Sequence, residues 1–161
     1  MLHKAIRSLV VTLSALITLF TVQAQVPGED WTRIALLGLN TRSLAISPRF
    51  SQGDGTLWAG TKGSGVWFSN NYGASWTQST GTDSFELRTV TDLVVSPNFG
   101  NDGIVIAITA DGRIYRSVNG GVDFTQVLNV TGGAQGTCLG ISANFVGDGK
   151  AWAGFNPGGL Y

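Results

Sequence analysis

Short apolar runs alternate with polar, glycine-rich breaks along most of this chain. Leu44–Ser47 is a brief apolar run that Ser47-Pro48 ends, because proline has no N–H to donate to a strand ladder. Asp54-Gly55 supplies the positive φ of a tight turn into Thr56–Gly60. A turn over Lys62–Gly65 leads into Val66–Ser69, and the polar stretch after it leads into Ser75–Gln78. The same order returns in Ile104–Ile108, Ile114–Ser117 and Asp123–Val127. No long 3.6-residue apolar period interrupts these runs, so the pattern predicts short strands joined by turns.

The pattern is a repeat. "LAISPRFSQGDGTLWAGTKGSGVWFS" from Leu44, "LVVSPNFGNDGIVIAITADGRIYRS" from Leu93 and "LGISANFVGDGKAWAGFNPGGLY" from Leu139 align. Phe50, Phe99 and Phe145 correspond at offsets of 49 and 46 residues. Asp54-Gly55, Asp102-Gly103 and Asp148-Gly149 fall in register, as do Trp67, Tyr115 and Tyr161. A period in the mid-forties is that of a four-stranded propeller blade. The expectation is an all-β chain with about three blades' worth of antiparallel strands, in units 44–78, 93–127 and 139–161.

Two turns recur within those units. "SNNYGASWTQ" places Ser69, Asn71, Gly73, Ser75 and Trp76 where "SVNGGVDFTQ" places Ser117, Asn119, Gly121, Asp123 and Phe124. Both resemble the Asp-box, or BNR repeat, S-x-D-x-G-x-T-W, with asparagine for aspartate, Ser75 and Asp123 for threonine, and Phe124 for tryptophan. The "SPNF…DG" lead-in is also similar to repeats of exported bacterial Asp-box propellers. The resemblance covers nearly all of the chain after residue 24 and implies a β-propeller of the sialidase, sortilin and photosystem II assembly type. Each motif position has a physical reason. Ser69 and Asn71 accept from turn amides, Gly73 supplies a conformation that a Cβ resists, and Trp76 is expected to cover the hydrophobic layer. The motif is expected to build a corner.

The beginning of the chain reads differently. Residues 1–24 carry Lys4 and Arg7, an apolar run from Leu9 to Phe20, and small residues at the end. This is the form of a cleaved secretory signal, and the apolar run is short for a bilayer span. Export implies a secreted, periplasmic or cell-surface location, with no membrane span after cleavage. "GEDWTR", Gly28–Arg33, matches the second half of the Asp-box turns, so 28–35 is expected to be the outer strand of another or the closing blade. Three blades are fewer than the usual four to eight. The chain is therefore read as part of a larger ring, or as one that completes its ring by self-association, two chains giving six blades.

Composition narrows the partners. Removing the leader leaves eight basic against ten acidic residues, a net charge of −2, with no basic run. Nucleic acid is therefore not an expected partner. Cys138 is the single cysteine and is expected to be a small buried hydrophobe on a strand. The one histidine, His3, lies in the leader, which removes Ser-His-Asp and Cys-His catalysis and histidine-ligated metal from the rest of the chain. No phosphate-cradling or dinucleotide glycine motif is present. No cofactor or metal is expected.

Glycoside hydrolysis is the enzymatic rival, since sialidases and xyloglucanases carry Asp-boxes on propellers. It requires paired carboxylates, or tyrosine and glutamate with arginines, at the ring's mouth. Asp83, Glu86 and Asp92, with Arg42 and Arg88, lie between the first two units. Of these, Asp83, Glu86 and Arg88 are candidate ligand-facing groups, though solvated surface charge is the favoured explanation of the two carboxylates. No catalytic pair is located. The R-I-P signature of sialidases is missing, its nearest string being Arg33-Ile34-Ala35. Asp54, Asp102 and Asp148 stand singly beside glycine, without the several oxygen ligands calcium takes, and are read as hairpin turns. Trp58 and Trp152 are candidate sugar-stacking aromatics, but strand alternation assigns them to the core. The expected function is an exported, non-catalytic propeller that binds a protein or glycan. The alternative is a fragment of a propeller glycoside hydrolase with its catalytic residues largely outside this chain.

Overall fold

A computed structural model describes residues 24–26, 29–31, 36 and 38–161. The expected leader, apart from Ala24, lies outside the described residues. Strands β1 (Ala24–Val26) and β2 (Glu29–Trp31) form a two-stranded antiparallel ladder of their own, with Ala24 opposite Trp31. Of the expected outer strand over 28–35, this β2 segment is extended, and residues 28 and 32–35 lie outside the described residues.

Three further sheets follow in chain order. The first holds β3 (Thr41–Ile46), β4 (Leu57–Thr61), β5 (Val66–Ser69) and β6 (Thr77–Gln78), all antiparallel. Next come β7 (Thr80–Gly81), β8 (Val90–Val95), β9 (Val105–Thr109), β10 (Arg113–Ser117) and β11 (Asp123–Asn129), in the spatial order β7-β11-β10-β9-β8. The third sheet holds β12 (Gln135–Ile141), β13 (Ala151–Asn156) and β14 (Gly159–Leu160). In this middle sheet β7 alone is parallel to its neighbour, pairing Thr80 with Asp123. The chain leaving the outer edge of the first sheet thus runs along the outer edge of the second before crossing to its inner strand.

Apolar faces of successive sheets meet in two layers. Ala45, Trp58 and Val66 of the first sheet pack on Leu93, Val105, Ala107, Tyr115 and Phe124 of the second. Ile108 of the second packs with Ala153 and Phe155 of the third. Fully burying one such side chain contributes about 1.5–3 kcal/mol, so the two layers hold the sheets face to face. Trp58 is in the core as expected, edge-on to Phe99 at 4.8 Å. The segment between the first two sheets adds Phe85, fully buried with ring centres 4.6 Å from both Tyr115 and Phe124. Phe85 anchors the crossover from inside.

The Asp-Gly pairs differ from the expected tight hairpin turns. Two of them close a short helical turn: α1 (Phe99–Asp102) ends at Gly103, with φ +59°, and α2 (Phe145–Asp148) ends at Gly149, with φ +64°. In the first sheet one more residue intervenes, and a 3-10 turn over Phe50–Gln52 ends at Gly53. The aspartate works with the serine that ends the preceding strand. Ser96 Oγ donates to Asp102 Oδ2 at 2.6 Å, and the other carboxylate oxygen accepts from Ile104 N at 3.0 Å. Ser142 and Asp148 repeat the clasp at 2.6 Å, with Lys150 N donating at 2.9 Å. Ser47 and Asp54 are bonded in the same way, with Thr56 N donating to Asp54 at 3.1 Å.

Three other side chains depart from expectation. Cys138 is exposed, because it projects from β12 to the side of the third sheet away from the second. Trp152 is also exposed rather than in the core, on that same side. Trp76 is only half-buried, its Nε1 donating to Gly73 O at 3.0 Å, whereas its counterpart Phe124 is buried.

Candidate functional site

Two ends of the sheets carry different chemistry. At one end lie the helical turns and the two S-x-N-x-G turns. Ser69 Oγ accepts from Gly73 N at 2.9 Å and donates to Asn71 Oδ1 at 2.9 Å. Asn71 Oδ1 accepts from Ser75 N at 2.9 Å, while its Nδ2 donates to Ser75 Oγ at 2.8 Å. The second turn repeats this, with Ser117 Oγ accepting from Gly121 N at 2.9 Å and donating to Asn119 Oδ1 at 2.8 Å. Asn119 Oδ1 accepts from Asp123 N at 3.2 Å, and its Nδ2 donates to the Asp123 carboxylate. The serine and asparagine side chains of these turns are engaged with their own turn, so they act as corners.

The opposite end gathers the crossover, residues 79–89, against the β4–β5 and β9–β10 turns. Gly65 N donates to Arg88 O and Ala110 N to Thr89 O, both at 2.9 Å. Gln78 Nε2 reaches Ser64 O at 3.1 Å and Glu86 O at 3.0 Å. With Phe85 fixed in the core, Asp83 and Ser84 are held at φ +54° and +57°, a left-handed backbone that non-glycine residues adopt at a cost of about 1–3 kcal/mol each.

Side chains at this end form an ion cluster. The Arg88 guanidinium bonds Asp111 Oδ2 and also donates to Asp83 O at 2.6 Å. Arg113 Nε lies 3.2 Å from the same Asp111 oxygen, and its other nitrogen donates to Gln126 Oε1 at 3.0 Å. Thr109 Oγ1 holds the second Asp111 oxygen at 2.6 Å. Two guanidiniums thus converge on one carboxylate, leaving the cluster with net positive charge. Beside it a shallow depression of about 420 Å³ is lined by Ser84, Leu87, Arg88, Thr89, Ala110 and Asp111.

Of the expected ligand-facing residues, the structure brings Arg88 and the backbone of Asp83 together and places Glu86 on the same crossover. Asp83 is exposed, while Glu86 and Arg88 are half-buried. Asp92 is elsewhere: its Oδ2 accepts from Leu139 N at 2.8 Å, which ties the middle sheet to the third. Asp111 and Arg113 complete the cluster and were not singled out from sequence. Their signal there is weak, a charged pair flanking a turn glycine in "ADGRI". Among the described residues no group of three histidine, cysteine or carboxylate side chains gathers to hold a metal.

No family model and no curated protein matches the chain. Solved structures do. An ancestral GH74 enzyme superposes with a TM-score of 0.56 at 20% identity, over 82% of this chain and 18% of that one. YCF48 from Cyanidioschyzon merolae superposes with a TM-score of 0.60 at 16% identity, over 86% of this chain and 42% of that one. The fold is that of a β-propeller. The three sheets are its blades, and the chain spans less than half the length of these two proteins. At such identities the likeness shows the fold alone.

Proposed function

We propose that this chain supplies blades of an exported β-propeller that binds a protein or glycan ligand without performing chemistry on it. In this reading the two S-x-N-x-G turns are degenerate Asp-boxes and serve the scaffold. The ligand meets the crossover end, where Arg88 and Asp111 line the 420 Å³ depression and Asp83, Glu86 and Arg113 lie on the same two connections. The observation that carries the reading is the pairing at that end. Arg88 and Arg113 are both engaged by Asp111, and Asp92 is spent on a backbone amide, so these four charged groups are set in fixed contacts. General acid–base hydrolysis instead uses two carboxylates facing one bond across a gap.

The rival reading is a propeller glycoside hydrolase whose catalytic residues lie largely outside this chain. The likeness to a GH74 enzyme is one of fold and does not favour it. Assay of the protein against sialosides and β-glucans, alongside glycan and protein binding, separates the two. Binding without turnover, weakened by Arg88→Ala, is the expected result. Robust turnover that disappears on substitution of a carboxylate overturns the proposal.

A further inference from the structure

The two connections between blades share a backbone course. In the first, Asp83 and Ser84 are both left-handed, and the next residue, Phe85, is fully buried. In the second, Gly132 and Gly133 have φ +90° and +79°, and the next residue, Ala134, is buried. Both press on a turn glycine: a Cβ on Gly65 would strike Phe85 O, and one on Gly112 would strike Ala134 O. The fold thus asks for two successive left-handed residues before a buried one. Glycine meets that demand without strain, whereas a residue with a Cβ is strained by it. Asp83 and Ser84 are the one consecutive pair of non-glycine residues at positive φ among the described residues. They lie between the two sheets that hold four or more strands.

Strain held where glycine would serve points to a use for the side chains. Both are exposed. Asp83 is bonded through its carbonyl oxygen, to Arg88 Nη2 at 2.6 Å. Among the described residues neither its carboxylate nor the Ser84 hydroxyl has a partner. Ser84 lines the 420 Å³ depression, together with Leu87, Arg88 and Thr89. The packed Phe85 ring and the Arg88 bond fix the backbone of the pair, so binding there orders little that was free.

We infer that Asp83 and Ser84 are the specificity-determining contacts of the ligand site, and that they take adjacent hydroxyl groups of a sugar residue. A carboxylate accepts only, while a serine hydroxyl both accepts and donates. Two such short side chains on neighbouring residues match a ligand that presents donors and acceptors side by side, as a vicinal diol does. The Arg88 guanidinium, a donor only, complements them toward the ligand's oxygens. Leu87, 70% exposed on the same crossover, offers the apolar face of a sugar ring a surface to lie on. A basic protein segment would suit Asp83 but would face Arg88. The inference rests on the ligand reading above and narrows it from a protein or glycan to a glycan.

The test pairs binding with stability. Asp83→Gly/Ser84→Gly removes both side chains and leaves a backbone that the second connection already builds from glycine. Parent and variant are screened against immobilised sialosides, β-glucans and other oligosaccharides, and both are melted. The expected parent binds at least one oligosaccharide. The expected variant melts no lower, yet its dissociation constant rises about 30-fold or more with the loss of two side-chain hydrogen bonds. Asp83→Asn, which suits a left-handed backbone, should also weaken binding without lowering the melting temperature. A double variant that melts clearly lower would show that the side chains serve the fold, and one that binds as the parent does would show that they do not touch the ligand. Either overturns the inference. A parent that binds a protein but no oligosaccharide overturns it and leaves the broader binding reading standing, whereas a parent that binds neither overturns both.

Discussion

Trp58 Nε1, in the first blade, donates to the carbonyl oxygen of Gly120 in the turn of the second, 2.9 Å away. Sixty-two residues separate the partners, and the bond carries the core of one blade into the corner of the next. The adjacent Gly121 must remain glycine for the indole to lie there, since a Cβ would meet Nε1 at 2.3 Å and φ is +89°.

Substitutions at this contact should therefore be large and coupled. Trp58→Ala is expected to cost about 3–5 kcal/mol in chemical denaturation, the range for a buried aromatic. Trp58→Phe keeps much of the burial but leaves Gly120 O without its partner, at about 1–3 kcal/mol. Gly121→Ala should cost about 1–3 kcal/mol through crowding. In the double variant Trp58→Ala/Gly121→Ala the added methyl has room, so the losses should fall short of their sum. Strict additivity would show that the close approach is not what excludes a Cβ.

The two asparagine turns should respond oppositely to the same change. Asn71 Nδ2 donates to the Ser75 hydroxyl, which can rotate and donate back to an aspartate. Asn71→Asp is therefore expected within about 0.5 kcal/mol of the parent. Asn119 Nδ2 donates to the carboxylate of Asp123, so Asn119→Asp sets two like charges against each other. A loss of about 1 kcal/mol or more is expected at neutral pH, of the order of one hydrogen bond. It should be relieved by acid and by Asp123→Ser. Equal melting shifts for the two variants would remove this account.

Much of the fold was legible because repetition averages over local ambiguity. The recurrence of Phe50, Phe99 and Phe145, and of the serine–asparagine–glycine turns, places strands without knowledge of tertiary contacts. What stayed hidden depends on which side of a blade has a neighbour. Trp58 and Trp152 occupy equivalent positions, yet one is buried and the other exposed. Cys138 was misread for the same reason. The Ser–Asp clasps escaped because their partners lie six or seven residues apart across a helical turn. At the crossover end, Arg88 was visible as a charge, but its convergence with Arg113 on Asp111 is set by two separate connections.

Phe124 and Trp76 occupy the same motif position and should differ in energetic weight. Phe124 is buried against Phe85, so Phe124→Ala is expected to cost about 3–5 kcal/mol. Trp76 is half-buried and is held by its bond to Gly73 O, so Trp76→Ala should cost about 1–2 kcal/mol. Equilibrium denaturation of the two variants measures the difference. A larger loss at Trp76 than at Phe124 would mean that the motif's aromatic position, rather than its burial, sets the cost.

The clasp in the third blade gives a pH-dependent outcome. The hydrogen bond from the Ser142 hydroxyl, and then that from Lys150 N, hold the Asp148 carboxyl below its ordinary value. A carboxyl depressed in the folded state binds fewer protons there than in the unfolded chain, so folding is favoured above the unfolded value. That contribution weakens as pH falls below the unfolded value and is gone once the pH has passed through the lower folded value. Following the Asp148 carboxyl carbon by NMR across the acid range should place its midpoint below that of an unstructured aspartate. Ser142→Ala should move the midpoint up, and Ser142→Thr, which keeps the hydroxyl, should return it. Because the hydroxyl is the largest cause, an unchanged midpoint in Ser142→Ala would mean that the backbone amide of Lys150 alone sets the proton affinity of the turn.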